Sequence, residues 1–136
     1  MSVGRRKARE QALQVLYQID LTKQSTQEAF PLFHTYFLSH KDLDDFTTRL
    51  VKGVEQYREE IDGILKKYSE HWKLDRMSRI DHNILRVAVF ELLWCPDIPP
   101  KVSINEAIEL GKKFSTEKSS IFINGILDKV SHAETP

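Results

Sequence analysis

Apolar residues recur along this chain at the three-and-four spacing of amphipathic helices. Ala8, Ala12, Val15, Leu16 and Ile19 form the first stripe, starting just after a basic cluster. A polar break at Thr22 to Thr26 ends it. The aromatic segment from Ala29 to Leu38 predicts a second helix, which Pro31 either opens or kinks. Leu43, Phe46, Leu50 and Val54 make the next stripe, and Ile61, Ile64, Leu65, Tyr68 and Trp72 make another. Gly53 and Gly63 fall inside these segments as tolerated weak points. Each costs about 1 kcal/mol against Ala in an exposed helix interior.

The stretch from Ile80 to Trp94 differs, because only a few positions such as Arg86 and Glu91 interrupt its apolar character. A helix apolar on nearly all sides is surrounded by other helices, so this one is predicted to be the central element. Ser78 with Asp81 resembles a capping box, with Asp in place of the usual Glu. Pro96, Pro99 and Pro100 end the segment. Ser103 and Glu106 predict a capping box for the next helix, whose inner face is Ile104, Ala107, Ile108 and Gly111 with Phe114 at its end. Ala107 and Gly111 lie four apart, which lets a neighbouring helix approach closely. A last helix is predicted from about Ser119 to Val130, with Ile123, Ile126, Leu127 and Val130 inward. The sum is about seven helices and no convincing strand. That is an all-α fold, a compact bundle forming a single domain over residues 1–136.

Charge changes the picture most. Twenty Lys and Arg balance twenty Asp and Glu, so the formal net charge of the 136 residues is zero. A protein that grips nucleic acid by itself usually carries a positive excess. This chain would have to use a local patch or borrow charge from a partner. Its single cysteine, Cys95, excludes an intramolecular disulfide and a thiol-only zinc site, and its place at a helix end reads as a packed thiol. The N-terminus lacks the apolar run of a signal peptide, and the longest apolar segment is too short to span a bilayer. No membrane association and a cytoplasmic location are expected. The five histidines show no pair at metal-ligand spacing, and there is no phosphate-cradling glycine loop or nucleophile elbow. The expectation is a non-enzyme with no metal and no cofactor.

Two cationic patches carry the candidate chemistry. Arg5, Arg6, Lys7 and Arg9 lie within five residues, offset only by Glu10, and make a local positive field in a neutral chain. Arginine suits phosphate because its planar fork donates two parallel hydrogen bonds. A basic tip that only aids solubility fits this segment equally well. In the last helix Lys118, Phe122, Gly125 and Lys129 fall at steps of four, three and four, and so share one face beside the core face. An aromatic ring flanked by cations can stack an unpaired base while lysines meet phosphates. It can also be a core-edge residue among ordinary surface charges, the reading that spacing alone favours. Tyr17 and Asp81 stay open between interaction residues and, respectively, a core-edge aromatic and a carboxylate favoured by the helix dipole.

These segments resemble the NusB family. Arg5-Arg6-Lys7-Ala8-Arg9-Glu10, continuing Ala12-Leu13-Gln14-Val15-Leu16-Tyr17, is similar to its opening, and Ile84-Leu85-Arg86-Val87-Ala88-Val89-Phe90-Glu91-Leu92 to its central helix. Asp97-Ile98-Pro99 followed by Val102-Ser103-Ile104-Asn105-Glu106-Ala107-Ile108-Glu109-Leu110 is the most specific match, and Ser119 through Phe122-Ile123-Asn124-Gly125-Ile126-Leu127-Asp128-Lys129 closes it. From about Leu21 to Lys73 only the helical pattern matches. The resemblance implies two helical sub-bundles packed together. It implies binding of boxA RNA in ribosomal RNA leaders as a heterodimer with the ribosomal protein NusE. Other Nus factors and RNA polymerase would then be engaged indirectly to suppress termination. It makes Arg5, Arg6, Lys7, Arg9, Lys118, Ser119 and Phe122 RNA contacts, to which the shared helix face adds Lys129, and it makes Tyr17 and Asp81 candidates for the NusE-facing surface. A homodimer that hides the RNA surface stays open. Ser115, Gly111 and Lys118 depart from the residues common at those positions, and a cation at 118, where an acid is frequent, favours RNA. The alternatives are a helical scaffold that binds only protein, or an accessory domain related to ribosomal RNA methyltransferases. No methyl-donor-binding domain precedes Pro136, which argues against the second.

Overall fold

A computed structural model describes residues 4–23, 45–69 and 77–134. Among the described residues there are six helices and no strand: α1 (Arg5–Thr22), α2 (Asp45–Gln56), α3 (Arg58–Tyr68), α4 (Arg79–Trp94), α5 (Pro100–Phe114) and α6 (Glu117–Glu134). The aromatic helix expected between Ala29 and Leu38, and Trp72, lie outside the described residues. The apolar stripes face inward as their spacing requires: Ala8, Ala12, Val15, Leu16 and Ile19 of α1, Leu50 and Val54 of α2, Ile61 and Leu65 of α3, and Ile123, Ile126, Leu127 and Val130 of α6 are all buried. Helix α4 packs against each of the other five, so the nearly all-apolar segment is central. Beside it α1 pairs with α2, and α5 with α6.

Two charges in the middle of α4, Arg86 and Glu91, are buried with partners. Glu91 accepts from both Nε and Nη2 of Arg9 in α1, at 2.9 and 2.6 Å, and from the Ser103 hydroxyl of α5 at 2.9 Å. Arg86 donates to Asp62 of α3 through Nε and Nη2, both at 2.9 Å, and to Asp20 of α1 at 3.1 Å. Asp20 also accepts from Arg58 and Asn83. Burial pushes the Asp62 and Asp20 carboxyls up, but these donors outweigh it and hold both below the ordinary carboxylate range. The residues that interrupt the apolar pattern are therefore the ones that fix its neighbours in register.

Three local expectations are corrected. Helix α5 begins at Pro100, a turn before the supposed Ser103–Glu106 box, because proline at the first helical position is already set to a helical φ. Ser103 is instead buried and bonded to Glu91, and Glu106 is held by Arg6. Helix α6 starts at Glu117 rather than Ser119, since Thr116 caps it by accepting from the Ser119 N–H at 3.0 Å. Gly53 is buried, not an exposed weak point: a Cβ there would stand 2.1 Å from the Phe90 ring. Gly111 behaves as expected, with a Cβ meeting Ile123 Cδ1 at 3.0 Å where α5 and α6 approach.

Candidate nucleic-acid interface

The first turns of α1 direct four cations to different places. The Arg5 guanidinium lies 4.5 Å from the centroid of the Phe46 ring and 3.7 Å from Asp97. Arg6 donates from Nε and Nη2 to the two oxygens of Glu106 at 3.0 and 2.7 Å, yet keeps 68% of its side chain exposed. Its charge and hydrogen bonds hold the Glu106 carboxyl below its usual range. Lys7 is exposed, 4.0 Å from Glu10. Arg9 is a correction to the expected RNA contacts. It is only 3% exposed, and its guanidinium is taken up by Glu91 inside the bundle. A phosphate could reach it only by breaking that pair.

Each cation of this arm thus faces a carboxylate, and the field it projects is weaker than its sequence suggests. The pairs of Arg5, Arg6 and Lys7 are open to water, however, and exposed pairs are worth only about 0–1 kcal/mol. A phosphate can displace such a carboxylate. A groove between α1 and α5 continues from Arg6 past Glu10, Glu106 and Glu109 to Lys113. Lys113 donates to both oxygens of Glu10 at 2.8 and 3.0 Å with its side chain still largely exposed. From Glu106 to Lys113 α5 rises about 10 Å, and five residues further on stands Lys118.

At that end of α5 a pocket of about 200 Å³ opens between the starts of α4 and α6. It is lined by Met77, Ser78 and Asp81 on one side and Thr116, Lys118, Ser119 and Phe122 on the other. Phe122 is half-buried, packed against the core from its edge. Lys118 and Lys129 are exposed and have no ion-pair partner among the described residues, unlike the arm cations. A Cβ on Gly125 would meet nothing within 4 Å, so the face between Phe122 and Lys129 is open. Ser119 accepts from the Ser115 and Thr116 hydroxyls at 3.0 and 3.1 Å and donates to Asp81 Oδ2 at 2.8 Å.

Asp81 therefore joins Ser119, Lys118 and Phe122 in one pocket and is 7% exposed, rather than standing out on a separate surface. Ser78 does cap α4, accepting from the Asp81 N–H at 3.1 Å. The Asp81 carboxylate turns to Ser119. Tyr17 is 37% exposed on α1, with Leu21 exposed one turn on. Sequence reasoning missed Lys113, Thr116 and the carboxylates that restrain the arm. Thr116 carried a readable signal, a threonine followed at once by Glu117 at a helix start. The pairings of Glu106 and Glu91 did not, because their partners are 100 and 82 residues away. Cys95 is buried, its thiol pushed up to about 11 by burial, as befits a packed side chain.

Comparison with known proteins gives this geometry its context. The NusB family model matches residues 6–132. A transcription antitermination protein NusB from Myxococcus xanthus is 50% identical over 96% of both chains. Among solved structures, T. maritima NusB superposes with a TM-score of 0.86 at 34% identity, covering 100% of this chain and 96% of that one. A crystal structure of the antitermination factors NusB and NusE in complex with dsRNA gives 0.82 at 32% identity, covering 95% of this chain and 96% of that one.

Proposed function

The chain belongs to the NusB family, and on that premise we propose that it is a transcription antitermination factor that binds boxA-type single-stranded RNA of ribosomal RNA leaders together with NusE. Termination by RNA polymerase is suppressed through this adaptor and the other Nus factors, in the cytoplasm, without catalysis by the chain itself. The observation that carries the reading is the pocket lined by Lys118, Ser119 and Phe122, whose Lys118 follows Lys113 of the α1–α5 groove by five residues. Arg5, Arg6 and Lys7 would set the position of the strand on its phosphates. Lys118 and Lys129 would hold it across α6, and the Phe122 edge would receive an unstacked base. Tyr17, with Leu21, suits the protein partner, since exposed apolar neighbours on one helix face favour a protein surface.

Zero net charge and an arm restrained by carboxylates give little long-range steering, so the protein alone binds weakly. A basic partner extends the positive surface and raises affinity. The test is fluorescence anisotropy of a labelled single-stranded boxA RNA, titrated with and without NusE, beside a duplex of the same sequence. Tighter binding with NusE, preference for the single strand and weaker binding by Arg6→Ala and Phe122→Ala support the reading. Unchanged affinity in both variants leaves a scaffold that binds only protein.

A further inference from the structure

Asp81 holds an acceptor that nothing among the described residues uses. Its Oδ2 accepts a hydrogen bond from the Ser119 hydroxyl at 2.8 Å, while Oδ1 is buried and has no hydrogen-bond partner among the described residues. Buried carboxylate oxygens are nearly always satisfied, and an unmet one carries the full penalty of desolvation. Here the unmet oxygen belongs to a side chain that lines the Lys118–Phe122 pocket. A helix-start carboxylate serving the dipole alone has no need of burial there.

We propose that Asp81 is a base-selecting residue: Oδ1 accepts a hydrogen bond from the exocyclic amino group of an unpaired nucleobase seated in this pocket. The inference rests on the RNA-binding reading above. One nucleotide meets the three demands of the pocket together. Its phosphate suits Lys118, its ring suits the Phe122 edge, and its amino group suits Oδ1. A phosphate cannot approach Asp81 itself, since the two repel, so the base enters edge first. A cationic side chain from a protein partner would satisfy Oδ1 but would be opposed by Lys118 at the rim. The amino groups of cytosine, adenine and guanine all donate, whereas uracil and hypoxanthine present an oxygen or nothing at the corresponding positions. Ser119 holds the carboxylate through Oδ2, and the Ser115 and Thr116 hydroxyls hold Ser119, so the carboxylate is fixed before RNA arrives and Oδ1 is reached as the base enters the pocket.

The experiment uses the full chain with NusE and a set of single-stranded boxA RNAs. In each, one cytosine is changed to uracil, one adenine to inosine, or one guanine to inosine. Wild-type protein is expected to lose about tenfold in affinity at one position of the set. Asp81→Asn, whose amide can present either a donor or an acceptor, is expected to abolish or reverse that penalty while the penalties at other positions persist. Its melting temperature is expected to stay within a few degrees of wild type, because Oδ1 makes no bond among the described residues. Should Asp81→Asn fail to fold, Ser119→Ala provides the second variant, and is expected to shrink the same penalty by releasing Oδ2. The proposal is overturned if wild-type protein binds RNA but discriminates at no position. It is overturned equally if Asp81→Asn keeps the discrimination and loses only affinity for NusE. Absence of RNA binding by the wild-type complex would remove the RNA reading itself, a result distinct from either.

Discussion

Arg6 and Arg9 stand three residues apart in one helix and have opposite fates. Arg9 closes a buried pair with Glu91, while Arg6 keeps an exposed, exchangeable pair with Glu106. Removing one partner of a buried pair leaves an uncompensated charge and costs about 3–5 kcal/mol. Arg9→Ala is therefore expected to lower stability by that order in urea denaturation. Arg6→Ala should leave the unfolding midpoint nearly unchanged and weaken RNA binding. The reverse outcome for either would mean their roles are exchanged. Lys118→Asp is expected to weaken RNA binding, read by anisotropy at moderate salt, since no carboxylate among the described residues holds Lys118. The basic run and Phe122 were legible from the sequence as chemistry. Which arginine faces solvent was not, because Arg9 lies on the same α1 face as Ala8 and Ala12 and its partner is far along the chain. Asp81 was legible as a helix-start residue, but its turn toward Ser119 depends on how α4 and α6 meet.

Helix periodicity told most about the elements, and failed where a residue's neighbour decides its role. Gly53 is the clearest case. Helix propensity alone favours alanine there by about 1 kcal/mol. The Phe90 ring, stacked beside Tyr57 and Trp94, occupies the space a methyl group would need. Gly53→Ala is expected to destabilise by about 1–3 kcal/mol, the usual cost of overpacking; stabilisation would show that the ring yields freely. Lys23 ends α1 in a left-handed conformation at φ 61°, its N–H bonded to Ile19 O. That conformation is strained for a side chain and natural for glycine, so Lys23→Gly is expected to raise the melting temperature by a few degrees. The central place of α4 could be read from its apolar surface. The start of α5 could not be read from Ser103 and Glu106, because two long-range contacts use the side chains that mimic a cap.

At the scale of the molecule, buried ion pairs join α1, α3, α4 and α5, and more exposed ones line the groove between α1 and α5. Asp20, Asp62 and Glu106 have carboxyls held below their unfolded values, so each contributes stability above the ordinary carboxylate pKa and loses it as pH falls through its lower folded value. Melting temperature is expected to be nearly flat from about pH 7 to 5 and to fall below about pH 4; a maximum near pH 4 would reverse that sign. The central claim is that the α1 arm and the α6 pocket receive one strand. Amide chemical-shift mapping of the isotope-labelled protein during titration with single-stranded boxA RNA measures this most directly. The expected result is a continuous set of shifts from Arg5, Arg6 and Lys7 along α5 at Lys113 to Lys118, Ser119 and Phe122, all saturating together. Shifts confined to one of the two patches, or two sets saturating at different RNA concentrations, would contradict it.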